Sequence, residues 1–259
     1  MTALRGVGTM AVGTVASRAT GFLRTAVLVA VLGVQGVPLA FTVANTAPNI
    51  VYELLLGGIL TSTVVPLLVR ADKDGYGEAY AQRLLTLTVL VLGGTALVLV
   101  LLAPQIADLY LSSSVDADTR ALTITFARFF LPQVLFYGVG ALLGAWLNTH
   151  GRFGPPMWAP VLNNVVVIGS LVVFALLPGP DHLTSGSITD TQVAVLGIGV
   201  TLGIVAQTVA LLPALRATGL RLVPRLDLRG TGLGQAGRLA RWTFFYVVCN
   251  QLVLLVVVN

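Results

Sequence analysis

Between Arg83 and Asp108 the chain runs without a charged side chain, through LLTLTVLVLGGTALVLVLLAPQIA. A helix needs about 20 apolar residues to cross a bilayer, so this stretch is long enough by itself, and it is one of several. Apolar segments bounded by polar punctuation predict seven helices, near 7–33, 38–69, 80–111, 120–148, 156–177, 191–215 and 236–259. Composition closes the alternative of a water-soluble domain. Charged residues make up 10% of the 259 residues and hydrophobic residues 56%, with a mean hydropathy of +0.92. A soluble domain carries about a quarter charged residues, so this chain lacks the polar surface that water requires.

The charges that remain are sorted. Threading the helices alternately gathers Arg5, Arg70, Lys73, Arg83, Arg152, Arg216, Arg221, Arg225, Arg229, Arg238 and Arg241 on one side. The other side holds Asp108, Asp116, Asp118, Asp181 and Asp190, with Arg120 near them. Basic loops stay in the cytoplasm, so the N-terminus is expected there. Arg5 alone makes a weak positive region and the apolar run continues past Arg18, which argues against a cleaved signal peptide. The last segment stops at QLVLLVVVN with no closing loop and reads as a chain cut within its seventh span.

Two arginines break the first span. A central Arg costs about 2.5–3.5 kcal/mol on insertion scales, and each Leu, Val or Phe returns about 0.3–0.6. The ten such residues between 7 and 33 therefore return roughly 3–6 kcal/mol against roughly 5–7 for Arg18 and Arg24. With the balance near zero, both arginines are expected to face protein or a wet cavity. At about 100° per residue, Thr14, Arg18, Gly21 and Thr25 share an arc, with Ser17 and Arg24 on its flank. The two guanidinium groups thus diverge by about 120° and could clasp opposite sides of a broad polar object. Gly21 between them permits a bend.

The second span has a polar face too. Thr42, Asn45, Thr46, Asn49, Tyr52 and Glu53 follow i, i+3, i+4, i+7 spacing, with Pro48 expected to kink or open the helix. Antiparallel threading brings Glu53 to the depth of Arg18, so a pair or a network with Arg24 is expected. The fourth span adds Gln133, Tyr137, Gly140, Gly144 and Asn148 on one stripe. Arg128 points away from it and is expected to snorkel to the interface. Asn163 and Asn164 read equally well as cavity groups or interhelical hydrogen bonds. The substrate-binding candidates are Arg18, Arg24, Asn49, Tyr52 and Glu53; Thr14, Ser17, Thr25, Asn45, Gln133 and Tyr137 are candidate cavity lining.

Other signals are discounted. GLGQAG at 232–237 has no strand before it. His150 and His182 fall in loops on opposite sides, and the single Cys249 allows neither an internal disulfide nor a cysteine metal cluster. No metal, cofactor or catalytic residue is expected. The arginines from 216 to 241 fit cytoplasmic placement beside anionic headgroups better than a nucleic-acid role. Gly140-x-x-x-Gly144 and Gly199-x-x-x-Gly203 read as close helix packing.

Several ordered motifs carry a family likeness. SRATGFLRTAVL at 17–28, APN at 47–49, VPLLVR at 65–70, FLPQVLFYG at 130–138 and LNTHGRFGPPMWAPVLNN at 147–164 resemble, in order, the MurJ (MviN) lipid II flippases of the MOP superfamily, in their high-GC Gram-positive forms. The resemblance implies an all-α polytopic membrane protein of the bacterial plasma membrane, with two six-helix lobes around a central cavity. Residues 1–217 would form the N-terminal lobe of six spans, 218–235 a basic cytoplasmic linker, and 236–259 a truncated seventh span beginning the second lobe.

It also implies the cargo, lipid II: an undecaprenyl-diphosphate-linked disaccharide-pentapeptide moved from inner to outer leaflet by alternating access. Arg18 and Arg24 occupy positions that line the family's cavity, and a guanidinium fork matches diphosphate oxygens. Two departures stand out. Leu39 sits where many relatives carry an acidic residue, and Tyr52 and Glu53 where many have an arginine. Two further readings remain open: a related exporter of oligosaccharide-lipids or drugs on the same scaffold, and a non-transporting scaffold whose cytoplasmic loops recruit cell-wall synthesis proteins.

Overall fold

The computed structural model describes residues 2–33, 36–54, 64–112, 114–180 and 182–227. Among these every regular element is helical: α1 (Thr2–Leu32), α2 (Val37–Leu54), α3 (Val65–Lys73), α4 (Gly77–Leu101), α5 (Ala103–Tyr110), α6 (Ala117–Phe130), α7 (Gln133–Thr149), α8 (Gly154–Leu176), α9 (Asp190–Val209) and α10 (Leu212–Arg216). Among the described residues, five helical stretches are long and apolar enough to cross a membrane: Ala11–Leu32, Gly77–Leu101, Ala117–Thr149, Gly154–Leu176 and Asp190–Arg216.

Three segments expected as single helices are each divided in two, and proline explains all three divisions. Pro lacks the N–H that would continue the helical ladder but fits the first turn of a new helix. Pro104 opens α5 after α4, and Pro213 opens α10 after α9. Pro132 separates α6 from α7 in the same way. The expected effect of Pro48 is different: α2 runs unbroken through it. α1 is likewise continuous through Gly21. The expected seventh span lies outside the described residues, as do residues 55–63 of the second.

The bundle is organised by α7, α8 and α9. α8 packs against both α1 and α9, α7 against α4 and α9, and α2 against α6. Glycines let α8 and α9 approach: a Cβ on Gly199 would overlap Ser170, and one on Gly203 would overlap Asn163. Ser170 uses the closeness, its hydroxyl donating across the interface to the Val195 carbonyl at 2.7 Å. Among lipid tails no hydrophobic force drives helices together, so such contacts and small residues set the packing.

Two apolar cores result, one toward each end. The first holds Phe41, Phe126, Phe130, Leu171, Phe174 and Leu196. Phe126 and Phe130 stack with centroids 5.7 Å apart, and Phe41 meets both edge-on. The second holds Leu68, Tyr80, Leu143, Trp146, Leu147 and Leu215. Along α7, α8 and α9 the residues between these cores include Gln133, Tyr137, Asn163, Asn164 and Thr201, so a polar stratum separates the two cores.

The ends differ in charge. At one, Asp108 pairs with Arg120 and Asp116 caps α6 through the Thr119 amide at 2.8 Å. At the other, Asp72 lies 3.9 Å from His150, Arg152 donates to the Ala217 carbonyl, and Gln82 donates to the Arg221 carbonyl. That second end carries Arg70, Lys73, Arg83, Arg152, Arg216 and Arg221.

Residues 218–227, expected as linker, form an extended strap docked on α4. Glu78 accepts from the Arg221 amide at 3.1 Å, Thr86 from the Arg225 amide at 2.9 Å, and Arg83 pairs with Asp227 at 3.0 Å. Trp146 donates to Thr218 at 2.9 Å, fixing the turn in which Gly219 takes a left-handed φ of +84°.

Candidate functional site

Four of the sequence candidates converge at the polar stratum. Gln133 begins α7 just past the Pro132 break and is fully buried. Its amide donates to Thr201 of α9 at 2.9 Å, and Thr201 donates to the Phe129 carbonyl at 2.7 Å. That carbonyl belongs to the last turn of α6, where interruption of the ladder leaves acceptors in need of partners. The other face of Gln133 accepts from the Tyr137 hydroxyl at 3.4 Å. Tyr137 in turn lies against Tyr52 of α2, ring centroids 4.6 Å apart, and interacts electrostatically with Arg24 of α1. One chain of contacts therefore links α2, α7, α9 and the α6 terminus, with Arg24 of α1 within electrostatic reach of it.

Beside it opens a cavity of about 210 Å³, lined by Tyr52, Tyr137, Gly140, Gly144, Asn148 and Gln207 among others. The α7 stripe read from spacing supplies four of those six. Thr201 and Gln207 were missed, although each is a polar interruption of an otherwise apolar α9 and could have been read on the same grounds.

The two arginines are placed differently. Arg24 is half-buried toward the bundle, whereas Arg18 is exposed, in keeping with their angular separation. The exposed stripe through Arg18 continues over Thr14, Val15, Phe22, Thr25 and Val29. Thr25 bonds back to the Gly21 carbonyl at 3.1 Å, and Thr14 reaches Met157 of α8. Ser17 uses its carbonyl, which accepts from Asn164 at 3.3 Å; the same Asn164 amide donates to Thr20 at 3.0 Å. Asn164 is thus an interhelical tie. Asn163 packs against Gly203, and its Oδ1 is buried with no hydrogen-bond partner among the described residues.

The expected Glu53 pair is not formed in this structure. Glu53 is exposed at the end of α2, and among the described residues it makes no ion pair with Arg18 or Arg24. The last turn of α2 turns its side chain outward while its neighbour Tyr52 faces Tyr137. Asn49 is exposed as well. Asn45 is buried, its Oδ1 unpartnered among the described residues. Arg128 is exposed, away from the cavity stripe. No group of His, Cys, Asp or Glu suited to a metal ion occurs among the described residues.

Fold and stratum together define a class: a multi-pass α-helical membrane protein with a polar layer between its apolar cores and two arginines within its first apolar stretch. The chain belongs to the lipid II flippase MurJ family, whose model matches residues 28–259. It is 26% identical over 254 residues to the probable lipid II flippase MurJ of Haemophilus influenzae, covering 93% of this chain and 48% of that protein. The lipid II flippase MurJ of Burkholderia cenocepacia is 27% identical over 239 residues, covering 88% and 42%. A solved structure described as lipid II flippase MurJ in an inward closed conformation superposes with a TM-score of 0.71 at 16% identity, over 92% of this chain and 47% of that one. The chain spans about half the length of the relatives it matches.

Proposed function

We propose that this chain supplies the arginine-bearing lobe of a lipid II flippase, with its basic end in the cytoplasm. The observation that carries the reading is the family match over residues 28–259 combined with two mid-depth arginines set on different faces of α1. Arg24 is half-buried within electrostatic reach of Tyr137, the tyrosine that the Gln133–Thr201 chain holds in place. Arg18 stands on an open stripe, where an anion could reach it.

Magnitude supports a shared cargo site. A cavity of about 210 Å³ falls below the roughly 300–1,000 Å³ that encloses a drug-sized ligand, and the headgroup of lipid II is larger than that. The lobe can therefore grip only a part, and a diphosphate is the part that suits guanidinium forks. An exporter of cationic drugs would need buried carboxylates, and Glu53, the only deep one expected, is exposed.

The test is lipid II translocation in proteoliposomes. Replacing Arg18 and Arg24 together with Ala is expected to slow transport by at least about tenfold, the scale of one charged hydrogen bond. Lys at both positions should restore it only in part, because an ammonium keeps the charge but loses the fork. Unchanged transport in the Ala variant would remove the assignment. In a Cys249→Ser background, an impermeant maleimide should label Ser112→Cys but not Lys73→Cys in intact cells if the basic end is cytoplasmic.

A further inference from the structure

The strap creates a groove that the transport reading does not use. Where α10 turns into residues 218–222, Leu212, Leu215, Leu220 and Leu222 form an open apolar trough of about 320 Å³, with Arg216 and Arg221 at its edge. Leu215 and Leu220 are the buried floor, and Leu222 is 48% exposed. Among the described residues neither guanidinium has an ion-pair or hydrogen-bond partner; Arg221 spends only its backbone on α4.

We infer that this groove is a binding site for one anionic phospholipid, its phosphate between Arg216 and Arg221 and an acyl chain on the leucines. Charge complementarity selects the occupant. Two unpaired cations beside an apolar trough match a molecule that carries an anion and a hydrocarbon chain a few ångströms apart. Place agrees with chemistry, since the groove lies at the end of the apolar stretch Asp190–Arg216, where headgroups begin. The groove is held rather than incidental. Trp146 anchors Thr218, Gly219 makes the turn, and Gln82 and Glu78 grip Arg221 on both sides of its peptide. The site does not depend on which cargo the lobe carries.

Native mass spectrometry of the membrane-extracted protein, titrated with phosphatidylglycerol and separately with phosphatidylcholine, tests this. Wild type should retain phosphatidylglycerol in preference. Each of Arg216→Gln and Arg221→Gln should weaken it by about fivefold, and the pair by on the order of 25-fold. Leu222→Asp should weaken it with both arginines intact. Arg225→Gln, an exposed cation of the same strap outside the groove, should leave retention unchanged. Equal retention of the two lipids, an unaffected double variant, or an equal loss with Arg225→Gln would overturn the site. Displacement of phosphatidylglycerol by equimolar undecaprenyl diphosphate would also overturn it, making the groove part of the cargo's path.

Discussion

Two apolar helical stretches of similar hydropathy, α1 and the α6–α7 pair, behave oppositely in this protein. Within an 18-residue apolar window of Ala117–Thr149, 67% of residues are buried inside the protein; within one of Ala11–Leu32 only 6% are. The buried rod carries polar groups answered by protein: Gln133 by Thr201, Tyr137 by Gln133, Thr123 by the Thr119 carbonyl. The peripheral rod carries charge that the described residues do not answer with an ion pair. Burial is thus what tells structural polarity from polarity offered outward, and hydropathy alone does not distinguish them.

The sharpest way to break this contrast is to make one change in both rods. Phe130→Ala empties a fully buried position from a stacked aromatic trio and should cost about 3–5 kcal/mol. Phe22, 78% exposed on α1, should tolerate the same change within about 0.5 kcal/mol. Thermal unfolding in detergent, followed by size-exclusion fluorescence, measures both. Equal losses would mean that α1 is packed against something that its exposure does not reveal.

A subtler pair separates interhelical from intrahelical polarity. Gln133→Leu keeps the volume but removes the bonds to Thr201 and Tyr137, and should cost about 0.6–1.7 kcal/mol, the range for hydrogen bonds between membrane helices. It should also slow transport, because Tyr137 loses a partner that holds it against Tyr52 at the cavity wall. Thr25→Val deletes a hydroxyl that bonds only to its own helix and should fall within about 0.5 kcal/mol. Transport unchanged in Gln133→Leu, with the stability loss present, would leave the chain as architecture alone.

These residues also mark how far the sequence could be read. Helix positions follow from apolar periodicity, and the α7 stripe from i, i+4 spacing, because both are local. Prolines 104, 132 and 213 were visible too, but whether a proline breaks a helix depends on what catches the freed carbonyls. Thr201 catches Phe129 at one break, while α2 runs through Pro48. The Glu53 pair was argued from depth, and depth fixes height in the bilayer but not the angle about the helix axis. The strap was harder to read for another reason: its bonds to Glu78, Gln82 and Thr86 use the backbone of 221 and 225, which leaves no trace in residue type. The charge sorting was legible because it needs only chain order.

That sorting yields the smallest expected effect, at the acidic end of the buried rod. The Thr119 amide, and then its hydroxyl, hold the Asp116 carboxyl below the usual carboxylate range, and Arg120 does the same for Asp108. Both groups are depressed in the folded state. Their contribution is therefore complete above the unfolded value near pH ~4 and fades as pH falls through the lower folded values. Both are solvated and screened, which keeps the contribution slight. The melting temperature should be flat in these groups from pH 7 to 5 and decline below about pH 4. Asp116→Asn retains an oxygen for the Thr119 amide and, combined with Asp108→Asn, should flatten that decline without moving the neutral-pH plateau by much. An acid slope as steep in the double variant as in wild type would place the titrating groups elsewhere, and with them the reason that acidic residues collect at this end.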